Sequence, residues 1–137
     1  MNAIEFFDTN ILIYAHDTLA PADKRERAQT VLDTAWDQGT GHLSTQVLQE
    51  LYVVLGRKTS KTIAQEAVMV YLHWPMEVIT PFALLAAMNL SQRHQLAFWD
   101  ALIVTAAQKA RASILWTEDL QAGQRFGDVV VRNPFLE

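Results

Sequence analysis

Four carboxylates stand where an α/β chain displays working groups. Asp8 follows the short apolar run Ala3 to Phe7, Asp100 opens a late helical segment, and Asp119 follows Ile114-Leu115-Trp116-Thr117. Glu50 interrupts the apolar stretch Val47 to Val54, where a desolvated carboxylate is costly unless something positive meets it. Hard oxygen ligands without thiolates suit magnesium or manganese better than zinc. A divalent ion held by such acids lowers the pKa of a bound water, orients it towards a phosphodiester and neutralises charge developing on the phosphate. That chemistry requires no protein nucleophile.

Each acid taken alone also has a plainer use. Asp8 suits a helix cap, and Asp100 a first-turn acid on the helix dipole. Asp119 suits a turn. Glu50 could pair with Arg57 or Arg93. The other polar and aromatic candidates read more simply: His16, His42, His73 and His94 lack ligand spacing and take structural or surface roles. Trp99 reads as a buried anchor of its helix start, with stacking on a base as the alternative. Arg57, Lys58 and Lys61 form the densest basic run and read as a solvated helix end.

The elements that must carry these residues alternate. Ala3 to Phe7 reads as a buried strand, followed by a short helix from Ile11 to Ala15 capped by Asp8, Thr9 or Asn10. Pro21 begins a helix with Ala28, Val31, Leu32, Ala35 and Trp36 at helical spacing, ended by Gly39 and Gly41. His42 to Ser44 reads as a second strand. A helix through Val47, Leu48, Leu51 and Leu55 stops near Gly56, and Ser60 caps the next, which ends before Pro75. Glu77 to Thr80 reads as a third strand. Two helices that look buried follow, from Pro81 to about His94 and from Phe98 to about Ala110. Ser113 to Thr117 and Val129 to Val131 are strands, with a short helix or loop between them at Leu120 to Gly127. Strands alternating with helices imply a mostly parallel sheet, and its site is expected beyond the strands' carboxyl ends.

Composition fits one α/β domain over residues 1–137. Half of the 137 residues are hydrophobic and 19% charged, which is globular rather than disordered composition. Cysteine is absent, which removes disulfides, thiolate metal sites and cysteine nucleophiles and suits a cytoplasmic setting. The first residues carry acids within their apolar stretch and no basic leader, so neither signal peptide nor membrane span is expected. A net charge of −4 argues against a protein that coats nucleic acid through a broad basic surface. It leaves room for a nuclease, because bound cations locally offset clustered carboxylates.

Taken together, Phe7-Asp8-Thr9-Asn10-Ile11-Leu12-Ile13-Tyr14-Ala15, Ser44-Thr45-Gln46-Val47-Leu48-Gln49-Glu50-Leu51, Trp99-Asp100-Ala101-Leu102-Ile103 and Leu115-Trp116-Thr117-Glu118-Asp119-Leu120 resemble the PIN-domain family. Within it they are most similar to the VapC-type ribonuclease toxins of toxin–antitoxin pairs. The resemblance spans nearly the whole chain and implies a central, mostly parallel sheet flanked by helices. It implies a metal-dependent endoribonuclease, with Asp8, Glu50, Asp100 and Asp119 as magnesium or manganese ligands or water-positioning acids. Thr9, Asn10 and Thr117 would orient them. Glu118 competes with Asp119 for the fourth place, and Asp119 is preferred because the family's acid stands two after the Thr. The resemblance further implies an RNA substrate, a cognate antitoxin, promoter DNA reached through the antitoxin complex, and a homodimer.

Two other classes compete. A PIN-fold binding module without turnover would use the same fold, although the presence of all four acids speaks against it. A phosphohydrolase using Asp8 as covalent nucleophile suits an Asp after the first strand, but such families usually show a second Asp where Asn10 stands. No G-x-G-x-x-G follows any strand, which weakens dinucleotide binding further.

Overall fold

Apolar runs too short to stand as helices become strands: Glu5–Phe7 (β1), Gly41–Ser44 (β2), Met76–Glu77 (β3), Ile114–Trp116 (β4), Arg125–Phe126 (β5) and Val129–Arg132 (β6). The helices are Thr9–His16 (α1), Ala22–Gln38 (α2), Thr45–Lys58 (α3), Lys61–Tyr71 (α4), Pro81–His94 (α5) and Phe98–Lys109 (α6). The computed structural model describes residues 3–137; Met1 and Asn2, the start of the segment read above for a leader, lie outside them. None of the described helices is long and apolar enough to cross a membrane.

The strands form one sheet in the order β3-β2-β1-β4-β6-β5. All neighbours are parallel except β5 and β6. After β1 the chain builds outwards through β2 and β3, then returns to the other side of β1 to lay down β4. The direction of winding therefore reverses between β1 and β4. At such a switch point the two outgoing loops diverge and leave a crevice beyond the carboxyl ends of the strands. Phe6, Phe7, Leu43, Leu115, Val129 and Val131 bury completely or nearly so and join the sheet to its helices.

Side-chain oxygens set several helix starts: Ser60, the expected cap, accepts from the Ile63 N–H, and Ser44 and Thr80, read from the sequence as strand residues, accept from Val47 and Ala83. Several sequence-based expectations need correction. The third helix does not stop near Gly56 but runs to Lys58, because both the Thr59 N–H and its hydroxyl close on the Leu55 carbonyl. The strand expected over Glu77 to Thr80 covers only Met76–Glu77; the Ile79 N–H turns to the Thr45 hydroxyl and Thr80 leaves to cap α5. Leu120 to Gly127, expected as a short helix or loop, takes the loop form, except that its end pairs antiparallel with β6 as β5. Of the two helices expected to be buried, α6 is, with Ala101 to Ala107 buried throughout. In contrast α5 exposes Phe82, Leu84, Leu85 and Met88. Apolar richness marks both helices alike; what covers each face is decided by packing.

Candidate metal centre

The geometry of the crevice follows from the direction of each element. A helix that follows a parallel strand begins at the sheet's carboxyl edge, and one that leads into the next strand with a short turn begins there too. Hence Asp8, which caps α1 directly after β1, Glu50 in the second turn of α3, Asp100 in the first turn of α6, and Asp119 just beyond β4 all fall on the same edge. One carboxylate oxygen from each of Asp8, Asp100 and Asp119 lies within 4.8 Å of the others. Glu50 lines the same pocket but stands outside this close trio.

Short polar side chains hold the acids in place. Asp8 is buried; its Oδ1 accepts the Thr9 N–H at 2.7 Å, and its Oδ2 accepts the Thr117 hydroxyl at 2.8 Å. The Asn10 amide donates to Asp119 Oδ2 at 2.9 Å and more distantly to Asp8 Oδ2 at 3.5 Å. The Thr9 hydroxyl donates to Glu50 Oε1 at 2.9 Å. Thr117 also takes the Asp119 N–H on its hydroxyl at 3.1 Å, so one side chain ties β4 to two of the acids. Glu118 turns away from the cluster to Lys24, 3.2 Å from its ammonium. Among the described residues Glu50 forms no ion pair with Arg57, Arg93 or any other cation.

Electrostatically the crevice is strained towards a cation. Burial pushes the Asp8 carboxyl up to about 7; the Thr117 and Thr9 hydrogen bonds oppose this, while the charges of Asp119 and Glu50 add to it. Asp100 is raised as well, first by burial and then by Asp119. A divalent ion would relieve both causes by meeting the desolvated charge and separating the like ones. The donor set agrees: every candidate ligand is a carboxylate oxygen, which suits magnesium or manganese. Two buried acceptors of the same pocket, Asn10 Oδ1 and Gln46 Oε1, have no hydrogen-bond donor, as expected where ordered waters around an ion or a substrate would complete the shell.

Two neighbours escaped the sequence reading, and one was misjudged. Gln46 is buried and donates from Nε2 to the Trp99 carbonyl at 3.3 Å, bridging α3 to the start of α6. Its position four residues before Glu50, on one helical face, was the available signal. Lys24, which holds Glu118 and the Tyr14 hydroxyl, gave none, since its partners come from distant segments. Trp99, expected to be buried, is instead 63% exposed on the pocket's wall.

A switch point edged with oxygen acids defines an α/β protein with a candidate divalent-metal centre. The model of the PIN domain matches residues 6–125, and the chain belongs to the PIN domain family. Solved structures share this fold at low identity. A toxin–antitoxin complex from Klebsiella pneumoniae has a TM-score of 0.71 and 24% identity, covering 92% of this chain and 95% of that one. VapBC2 from Rickettsia felis, bound to a DNA fragment from their promoter, has a TM-score of 0.68 and 20% identity over 95% of this chain and 98% of that one. VapC20 from Mycobacterium tuberculosis, a sarcin–ricin loop cleaving toxin, has a TM-score of 0.67 and 19% identity over 81% of this chain and 86% of that one. A comparison with curated protein sequences finds no match.

Proposed function

We propose that this chain is a magnesium- or manganese-dependent endoribonuclease that hydrolyses RNA phosphodiester bonds as the toxin of a type II toxin–antitoxin pair. The observation that carries the reading is the convergence of Asp8, Asp100 and Asp119 at the switch point of a PIN fold, with Glu50 tied in through Thr9. Asp8, Asp100 and Asp119 would hold the ion, with Glu50 as the fourth acid. When bound, the ion supplies an activated water and neutralises charge on the scissile phosphate. The chain's own residues do the rest. Thr117 and the Thr9 N–H fix both oxygens of Asp8, and Asn10 restrains Asp119. The Thr9 hydroxyl occupies Glu50 Oε1 and leaves Oε2 to accept a proton from the attacking water.

The partners belong to the same proposal. The structural neighbours include a toxin–antitoxin complex and a complex on promoter DNA, which supports a cognate antitoxin here and promoter DNA reached through it. The exposed apolar face of α5 supports a homodimer. The whole chain would act as one domain in the cytoplasm.

Purified, antitoxin-free protein incubated with total RNA in magnesium, manganese or EDTA tests the reading, beside Asp8→Asn and Asp100→Asn variants shown to fold by circular dichroism. Metal-dependent cutting that both variants lose is the expected result. Absence of cutting with either metal would sink the nuclease and favour a binding module. A phosphoenzyme trapped on Asp8 would point instead to a covalent phosphohydrolase.

A further inference from the structure

The crevice has no ionic grip on a nucleic-acid strand. Among the described residues lining it there is no Lys, Arg or His. Lys24, which lies near the cluster's edge through Glu118, is already engaged by that carboxylate and by Tyr14. The chain as a whole is acidic, with a net charge of −4. Neutralising phosphates, the usual main source of affinity for nucleic acid, is therefore not what these walls offer.

They offer one aromatic face. Trp99 is the residue before Asp100, lines the same pocket and leaves 63% of its surface open. Its exposure is not a sign of looseness. The backbone belongs to the first turn of α6, the carbonyl receives Gln46 Nε2, and the ring of Phe98 braces the indole edge-on at a centroid distance of 5.3 Å. An indole held this way loses little freedom on meeting a ligand, and every nucleobase presents a π-face to it.

We propose that Trp99 is the platform on which an unpaired RNA base stacks beside the phosphate to be cut, so that the substrate is held by stacking rather than by basic side chains. The proposal rests on the ribonuclease reading for its choice of ligand. A base within a continuous duplex has both faces covered by its neighbours, so the segment that docks is single-stranded or has its base turned out. Gln46 is a positioning residue in this arrangement: it ties the Trp99 backbone to the helix that carries Glu50.

The test uses the full chain as wild type, Trp99→Phe and Trp99→Ala. Anisotropy of short, labelled, random-sequence oligoribonucleotides is read in EDTA and in calcium, and RNA cleavage in magnesium. Trp99→Ala is expected to weaken binding roughly five- to hundredfold, the range that base–aromatic stacking supplies, while Trp99→Phe keeps most of the affinity. Oligomers with scattered abasic positions should bind the wild type less well than intact ones and bind Trp99→Ala equally. In cleavage the loss should fall on KM and not on kcat. Equal affinity of wild type and Trp99→Ala for intact RNA overturns the proposal, as does a wild type that binds no RNA in either buffer. So does a Trp99→Ala variant that keeps its RNA affinity but loses self-association, which would assign the indole to a protein interface. Stacking without cleavage leaves this inference standing and removes the nuclease; cleavage with binding indifferent to Trp99 does the reverse.

Discussion

At the scale of single residues, Asp8 carries the most consequence because its carboxyl is buried and, on the proposed function, must ionise to hold the metal. Folding keeps its carboxyl protonated up to about pH 7, whereas the unfolded chain releases that proton near 3.8. Between those values the folded state binds more protons than the unfolded one, so metal-free stability falls as pH rises through this window. Thermal melts in EDTA should therefore give a higher Tm at pH 5 than at pH 8. Asp8→Asn should melt above the wild type at pH 8, by about 3 °C for each kcal/mol of relieved desolvation, while losing cleavage. A divalent ion requires the ionised carboxylate, so magnesium affinity should weaken as pH drops below about 7; an affinity flat from pH 6 to 8 by calorimetry would contradict this. Thr117 makes a second test. Thr117→Val keeps the volume of a fully buried side chain but removes the donor to Asp8 and the acceptor for the Asp119 N–H. Loss of such a supporting group should reduce metal affinity or activity roughly 10- to 100-fold with the circular dichroism spectrum unchanged.

At the scale of elements, the site depends on strands that are short and must be held in register by what packs against them. Gly41 begins β2, and a Cβ there would lie 2.5 Å from the Trp74 ring. The indole packs in turn against Phe7 of β1, tilted at 5.6 Å between centroids, and edge-on against Tyr71 of α4. Gly41→Ala must displace this aromatic group, and overpacking of a core typically costs about 1–3 kcal/mol. A chemical-denaturation midpoint that does not move would show that Trp74 yields freely. The start of α6 is a different case. Ala97 offers no side-chain cap, so the orientation of Asp100 relies on helix geometry and on the Gln46 bridge rather than on local capping chemistry.

For the molecule as a whole, metal and self-association are the two variables. An ion bound only by the folded state stabilises it by roughly 2.7 kcal/mol at a hundred times its Kd. Magnesium should therefore raise the Tm of the wild type and leave that of Asp8→Asn or Asp100→Asn nearly unmoved, which differential scanning fluorimetry reads directly. The exposed face of α5 should close against a second copy: light scattering on a sizing column should give a dimer mass for the wild type and a monomer for Phe82→Asp, a substitution at a residue 82% exposed and outside the core. A monomeric wild type would assign that face to another partner.

Much of this protein was legible in the order of its residues, because strand, cap and helix each leave a local signature. The apolar run ending at Asp8, the cap Ser60, and the alternation that demands a parallel sheet are short-range effects, readable within a few residues; Ser44 and Thr80, read as strand ends, proved to be caps only in the structure. The candidate acids were legible for a related reason: carboxylates at strand ends, or within an apolar helix face, stand out against their neighbours. What local signals could not supply is anything that depends on distant segments meeting. The trio of Asp8, Asp100 and Asp119 forms only because winding reverses between β1 and β4. Glu118 is diverted by Lys24, 94 positions away in the chain. The same holds for burial. Trp99 and the face of α5 carry the composition of core residues, yet exposure is set by which helix packs over which, and that is a property of the tertiary structure alone.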